Sequence, residues 1–352
     1  MLTEKRVNNK FLIIFFFCLL FIQISYPTYA ETIKLGWQTP WATQGQLVMG
    51  LKHTNIPALT GVDIEYIGFT YGGPLNQAAL AGKVDILLTA DQPAIALLAR
   101  DRGYKIVARM MYNRTCLYVP VASPIKKLAQ LKGKSVAGPV GAAAERISLQ
   151  ALRDSGVDLN TIQFGNIDMA RQTALITAGS KNGKWGPFDA LYGFDPLPAV
   201  FENKNVAKMI HCGSVVSVVV ANTNMLTKRR QDLEAFLSAF LLSWYQFATK
   251  TGEMNRIFLS ESKLDFSERA LEIAASIEPN MKATALRELR LLFSPDDMNV
   301  FNFASDFLLS KGIIKNKINI EEPRYLDINP LKSIISNSSL NYKAKNIKIL
   351  KY

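Results

Sequence analysis

The fold is decided by residues 84–111, VDILLTADQPAIALLARDRGYKIVARMM. The apolar run after Asp85 is typical of a buried strand, and residues 93–102 have the apolar spacing of a helix that opens on a proline. A second strand is predicted at residues 104–111. Strand, helix and strand joined by such short turns predict a parallel βαβ unit.

The same alternation extends in both directions from this unit. Before it, strands and helices alternate at residues 32–37, 42–52, 62–69 and 75–81. After a strand at 115–121, a second block repeats the pattern at 134–137, 142–155, 161–164, 168–178 and 189–192. The β-branched run 214–221 predicts a strand buried on both faces. Beyond it the pattern is helical, at 226–249, 266–277, 283–293 and 295–309.

These late helices need a core to pack against, so the economical arrangement returns the chain to the first block. Two strands, 115–121 and 214–221, would then link the lobes. We therefore predict an α/β protein of two lobes joined by two crossover strands. Lobe one is predicted at 31–117 and 218–330, and lobe two at 118–217.

The first thirty residues differ from all that follow. Three basic residues precede an apolar run at 11–24, and Ala30 ends a segment suited to cleavage. The run is shorter than a membrane span of about 20 residues. Residues 1–30 therefore predict a signal peptide and export to the periplasm, with a retained anchor as the alternative.

The whole chain carries a formal net charge of +12. A nucleic-acid site would need a basic face with interleaved aromatic residues or a recognised module, and neither is visible, so we expect no nucleic-acid partner. Much of the excess lies near the end, where residues 311–352 hold nine Lys or Arg and three acids. Residues 331–352 are predicted to be a weakly ordered basic tail or a patch near anionic lipid.

Few residues are available for metal or redox chemistry. After export the chain keeps Cys116 and Cys212, which the sequence leaves open as one disulfide or two buried thiols. Together with His53 and His211 they show no metal-ligand spacing, so no metal or cofactor is predicted. No nucleophile, base and orienting group share a local motif, so no catalytic residue is predicted and we expect a protein that is not an enzyme.

Ligands of open α/β sheets gather where the carboxyl ends of strands enter helices. Unusual residues of this sequence lie at such loops. The predicted ligand-binding residues are Gln38, Trp41, Tyr71, Gly72, Gly73, Asp91, Gly141, Ala142, Tyr192 and Asp195. The two aspartates are predicted to contact the ligand directly.

Each of these features has a structural alternative. Gly72 and Gly73 could supply a turn with positive φ instead of close ligand approach. Asp91 and Asp195 each stand near a proline and could be helix N-caps. The aromatic residues could belong to the core.

Three segments resemble the solute-binding proteins of nitrate, sulfonate and taurine importers, a family that also includes thiamine-precursor binders. They are 72–93, with GGP, AALAGKVDI and ADQP; 128–134, with LKGK; and 189–196, DALYGFDP. The resemblance implies a periplasmic-binding-protein type II fold. It also implies a monomeric receptor that delivers a small molecule to an ABC permease and its ATPase.

One departure from the family affects the ligand. Many anion-binding members place Ser or Thr hydroxyls at the helix start in lobe two, where this chain has Gly-Ala-Ala-Ala at 141–144. Asp91, Glu145 and Asp195 would make parts of the cleft acidic. An amine or a nitrogen heterocycle therefore competes with a sulfonate, taurine or nitrate-like ligand. A ligand sensor of the same fold and a thiamine-pyrimidine synthase-like enzyme are the alternative functions.

Overall fold

A computed structural model describes residues 31–262 and 265–350 of the chain. The predicted signal peptide lies outside the described residues. From Thr32 onward the chain forms one compact unit. Within the described ranges, no helix is both long and apolar enough to cross a bilayer.

Strands and helices alternate through the first two thirds of the described residues, and helices follow. The strands are β1 (Ile33–Gln38), β2 (Ile64–Phe69), β3 (Ile86–Ala90), β4 (Tyr104–Pro120), β5 (Ser135–Gly138), β6 (Gln163–Asn166), β7 (Ala190–Phe194) and β8 (Ala207–Asn222). The helices are α1 (Gln44–Lys52), α2 (Ile56–Thr60), α3 (Gly72–Leu80), α4 (Asp91–Arg100), α5 (Ala143–Asp154), α6 (Met169–Thr177), α7 (Leu197–Asn203), α8 (Thr223–Thr227), α9 (Arg230–Thr249), α10 (Thr251–Ser262), α11 (Glu268–Ala275), α12 (Pro295–Ser310), α13 (Asn329–Ile335) and α14 (Ser339–Lys345). Short 3₁₀ turns lie at Leu128–Leu131, Leu159–Thr161, Pro279–Lys282 and Leu286–Glu288.

The strands form one sheet in the order β2-β1-β3-β8-β4-β7-β5-β6. β1 runs parallel to β2 and β3, and β5 runs parallel to β6 and β7. Between these sets, β4 and β8 pair antiparallel along almost their full length. One end of each long strand pairs within lobe one, built on β1–β3, and the other end lies with β5–β7 in lobe two.

The two lobes therefore share a pair of crossover strands, as predicted. The sequence prediction of separate strands at 104–111 and 115–121 is wrong, because β4 is continuous. The polar residues at 112–114 interrupt the apolar pattern, yet the ladder continues through them to β8. The predicted lobe boundaries fall inside β4 and β8 and stay a prediction.

Cys116 on β4 and Cys212 on β8 form a disulfide. They face each other as ladder partners of the two crossover strands. The bond settles the alternative that the sequence left open, and it ties β4 to β8 on the side of lobe two.

The β-branched run in β8 is buried on both faces, as its composition predicts. Val219 packs in a cluster that includes Phe240 and Trp244, whereas Val218 packs in a second cluster with Phe301. Helices therefore cover lobe one on both sides of its sheet.

Residues 331–350 are folded, contrary to the prediction of a weakly ordered tail, whereas a patch near anionic lipid stays a prediction. α13 and α14 bury Leu331, Ile334 and Leu340 in the core of lobe one. Ile349 then forms a bridge with Thr54. The apolar residues that anchor this segment are spaced among lysines and serines, so its overall composition hid them.

The start of α12 provides a test of pH dependence. The Asp297 carboxylate accepts hydrogen bonds from the Ser294 N–H at 2.7 Å, the Tyr112 hydroxyl at 2.7 Å and Arg290 Nη1 at 2.5 Å. Burial acts to raise the pKa of Asp297, but these bonds hold the pKa below its usual value. A depressed carboxyl pKa stabilises the fold above the unfolded value of about 3.9, and this stabilisation is lost as the pH falls through the folded pKa.

We expect Asp297→Asn to lower the free energy of unfolding by about 1–3 kcal/mol relative to the parent at pH 7. The difference should begin to shrink below about pH 4, where the unfolded carboxyl becomes protonated, and should be lost only as the pH falls through the lower folded pKa. Urea unfolding from pH 3 to 7 measures it. Asp306→Asn, on an exposed position of the same helix, is the control. A pH-independent gap for Asp297→Asn would contradict the assignment.

Candidate functional site

The loops that follow the strands of the two lobes meet at one junction. Trp41, in the loop after β1, contacts Phe194 at the end of β7, with ring centroids 6.1 Å apart and planes at 73°. This edge contact brings a lobe-one loop against lobe two. It also places Trp41 beside the segment that contains Asp195.

A second contact joins the first turns of α4 and α5. Asp91 Oδ2 lies 2.6 Å from Arg146 Nη2, and both residues are almost fully buried. One residue further on, Gln92 Nε2 donates to the Gly141 carbonyl at 2.7 Å. The helix starts of lobe one and lobe two are thus held together by polar contacts.

Asp91 has other partners besides Arg146. Its carboxylate accepts from the backbone N–H of Gln92 and, at 3.4 Å, from that of Val216 on β8. Burial raises the pKa of Asp91, while the charge of Arg146 acts in the opposite direction. The predicted N-cap alternative for Asp91 is wrong, because Ala90 is the N-cap of α4 and Asp91 is its first helical residue.

Asp195 is equally engaged. It pairs with Arg114 Nε at 2.7 Å and accepts from the Ala199 N–H at 2.9 Å, in the first turn of α7. Burial raises the pKa of this carboxyl and Arg114 counteracts the effect. Direct ligand contact by Asp91 or Asp195 stays a prediction.

The predicted glycines have different roles. Neither Gly72 nor Gly73 has positive φ, so the proposed turn is not their reason. A Cβ on Gly72 would lie 2.8 Å from Pro93, so this glycine lets α3 approach α4. Gly141 does have positive φ, at 83°, and it leads into Ala142, the N-cap of α5.

The three remaining predicted residues differ in their exposure and in their partners. Gln38 ends β1, and its N–H donates to Gln44 Oε1 at 2.6 Å. Tyr71 is 56% exposed. Tyr192 is buried in the core of lobe two, where its ring fills the space that a Cβ on Gly138 would need.

Several buried polar atoms in this region have no hydrogen-bond partner among the described residues. They are Trp41 Nε1, Thr89 Oγ1, Gln92 Oε1, Asn113 Oδ1, Thr115 Oγ1, Arg146 Nε and Ser217 Oγ. Asn113 and Thr115 on β4 lie on the same face of the sheet as Ser217 on β8. Asn113 pairs with Val215, which is two residues from Ser217, and Thr115 pairs with Gly213. Buried polar groups are normally hydrogen-bonded, so these atoms are candidate ligand contacts.

A family model described as NMT1/THI5 like matches residues 58–252, more than half of the chain. The chain belongs to the NMT1/THI5-like family. The match confirms the family resemblance that the three sequence segments indicate.

Known proteins agree with this assignment. A protein of Escherichia coli (strain K12) named as an aliphatic sulfonates-binding protein is 30% identical over 131 residues, 37% of this chain and 41% of that relative. The alkanesulfonate-binding protein SsuA of Xanthomonas axonopodis pv. citri, solved with MOPS, is 16% identical with a TM-score of 0.65. That likeness covers 84% of this chain and 98% of the other.

The desulfurization enzyme DSZB is also similar, at 12% identity and a TM-score of 0.61 over 90% of this chain and 99% of the other. At these identities the solved structures show a shared fold. They confirm the two-lobed periplasmic-binding-protein architecture of this NMT1/THI5-like chain.

Sequence reasoning missed part of the junction in this NMT1/THI5-like protein. The predicted ligand-binding residues do not include Arg146, although a cation in the first turn of a helix opposes the helix dipole. Ser217 was passed over inside a run of valines. A residue that contradicts its local pattern was the available signal in both cases.

The third acid of the predicted site is paired as well. Glu145 Oε1 lies 3.2 Å from Lys311 Nζ, and Glu145 Oε2 accepts from the Gly141 N–H at 2.7 Å. In the described part of the chain, no group of His, Cys, Asp and Glu is arranged to hold a metal ion. What the junction offers instead is a set of hydrogen-bond donors and acceptors.

Proposed function

We propose that the chain is an exported receptor that closes around a small organic anion of the sulfonate class and delivers it to an ABC permease. The observation that carries the proposal is the group of buried, unpartnered polar atoms where the lobes meet. A ligand with several oxygens would satisfy donors such as Trp41 Nε1 and Arg146 Nε.

The pairing of the acids favours an anion over an amine or a nitrogen heterocycle. A cationic ligand would need the carboxylates of Asp91, Glu145 and Asp195 to be free to pair with it. Each has an arginine or lysine nitrogen within 3.2 Å. A cation would therefore have to displace an existing partner. The sulfonates named for the E. coli relative and for SsuA support the same class.

The competing function is an enzyme, because DSZB of the same fold is a desulfurization enzyme. Nucleophilic chemistry by cysteine requires a thiolate. Cys116 and Cys212 are bonded to each other, and burial lowers the pKa of His211. These features favour binding over catalysis. A ligand sensor would have the same site and differ only in its partner. Neighbouring genes for a permease and an ATPase would favour transport, whereas a neighbouring gene for a kinase would favour sensing.

Delivery to a permease requires two states that the partner can distinguish. Movement about β4 and β8 would open and close the junction, and a ligand bound to both lobes would favour the closed state. The predicted signal peptide would direct the receptor to the periplasm. We expect it to act there as a monomer.

Ligand binding can be tested on the chain from Glu31 onward. We expect ethanesulfonate and MOPS to stabilise the fold, by about 2.7 kcal/mol at a hundredfold excess over Kd. Small-angle scattering should show compaction with the same ligands. Ethylamine, nitrate and a pyrimidine complete the panel. Stabilisation by the amine or the pyrimidine without any response to sulfonates would contradict the proposal, as would turnover of a sulfonate.

A further inference from the structure

The start of α5 has buried donors with no acceptor. Its N-cap residue, Ala142, has no side-chain oxygen to accept a hydrogen bond. Within the described residues, the backbone N–H groups of Ala143 and Ala144 have no acceptor, and Ala144 is fully buried. The first amides of a helix are unpaired within the helix and carry partial positive charge.

Arg146 adds a full positive charge to this turn. It is 4% exposed, and its Nε atom has no partner in the part of the chain that the structure describes. Helical side chains lean toward the N terminus, so the guanidinium lies on the side of the free amides. This nitrogen is an independent sign of a ligand, because buried polar groups are normally hydrogen-bonded and Asp91 reaches only Nη2 of the guanidinium.

We propose that Arg146, together with the Ala143 and Ala144 amides, anchors the acid group of the ligand and selects anions. This inference rests on the proposed receptor function and names its specificity-determining residue. The Nε–H of the guanidinium can donate to one sulfonate oxygen while Nη2 stays bound to Asp91.

Asp91 acts through Arg146 as a positioning residue. It binds only Nη2 of the guanidinium, and it is itself fixed by the Val216 N–H on a crossover strand. The Nε edge stays available. Because Asp91 belongs to lobe one and Arg146 to lobe two, the arginine is oriented only when the lobes are together. Anion binding and closure are thereby coupled.

The test compares ethanesulfonate with ethanesulfonamide, which has a similar shape and no charge, by calorimetry. We expect Arg146→Gln to weaken ethanesulfonate about 100-fold and ethanesulfonamide much less. Arg146→Lys keeps the charge without the Nε edge, and Asp91→Asn removes the positioning charge. Each should lose about tenfold for the sulfonate alone. Arg153→Gln, exposed in the last turn of the same helix, should bind like the parent.

The ratio of the two affinities separates the outcomes. If the parent binds no sulfonate, the proposed function fails. If the parent binds sulfonates and Arg146→Gln keeps the parent ratio, the anchor is overturned while the receptor function stands. Should Arg146→Gln not fold, Arg146→Lys decides, because an unchanged ratio in that variant also overturns the inference. A fall in the ratio for Arg153→Gln equal to that for Arg146→Gln would overturn it too.

Discussion

Arg109→Met is expected to lower the free energy of unfolding by about 3–5 kcal/mol. The arginine is fully buried and binds Glu278 through two nitrogens, at 3.2 and 2.7 Å. Its guanidinium also stacks 4.3 Å from the Tyr112 ring centre. Without it, the Glu278 carboxylate stays buried and loses its cation. Urea unfolding followed by circular dichroism measures the loss.

Two further variants make this test specific. Arg109→Met combined with Glu278→Met should recover part of the stability, since both charges of the pair are then removed while the Tyr112 and Asn280 N–H groups lose their acceptor. Arg269→Met removes an arginine 69% exposed at the side chain and paired with Glu272, and should change stability by less than about 1 kcal/mol. Equal losses for Arg109→Met and Arg269→Met would contradict a buried-charge effect.

The same buried network explains the main error in the predicted fold. Residues 283–293 have helical spacing, yet they contain only the 3₁₀ turn Leu286–Glu288. Their backbone is bonded elsewhere. The Leu291 carbonyl accepts from the Arg109 N–H on β4 at 2.9 Å, and the Arg290 N–H donates to Asn280 Oδ1 at 2.7 Å. Periodicity predicts local bonding, and it cannot show that a distant strand competes for the same carbonyl.

The lobes were predictable because their signals are local. Residues 84–111 contain a complete strand-helix-strand unit, and the structure reproduces its order, although the second strand continues to Pro120. The two crossover strands were predictable because the late helices need a core to pack against, and returning the chain to lobe one supplies it. Hydrophobic burial of both faces of the β8 valines leaves few other arrangements.

The candidate site was predictable only as a set of loops. Trp41, Asp91 and Gly141 do lie where the lobes meet, whereas Tyr192 packs beneath Gly138. Sequence places a residue on a strand, but its face depends on register, which long-range pairing sets. For the same reason the acids looked free, because each partner is distant in sequence.

The disulfide allows a second large test. Cys116→Ser combined with Cys212→Ser should lower the free energy of unfolding by about 3–5 kcal/mol. The bond closes a loop over a sequence separation of 96 residues, which contains most of lobe two, so it restricts the unfolded chain strongly. It also joins neighbouring ladder partners of β4 and β8, where lobe two begins.

Reducing agent provides the matched control for this disulfide. Dithiothreitol should destabilise the parent by about the same 3–5 kcal/mol and leave the double serine variant unchanged, because only the parent has a bond to lose. Urea unfolding with and without reductant measures both. Sulfonate binding by the folded serine variant should persist, since neither sulfur belongs to the unpartnered polar atoms at the junction. Equal stability of the oxidised and reduced parent would show that the cross-link does not restrict the unfolded chain. Loss of binding in the folded serine variant would show that the disulfide itself belongs to the site.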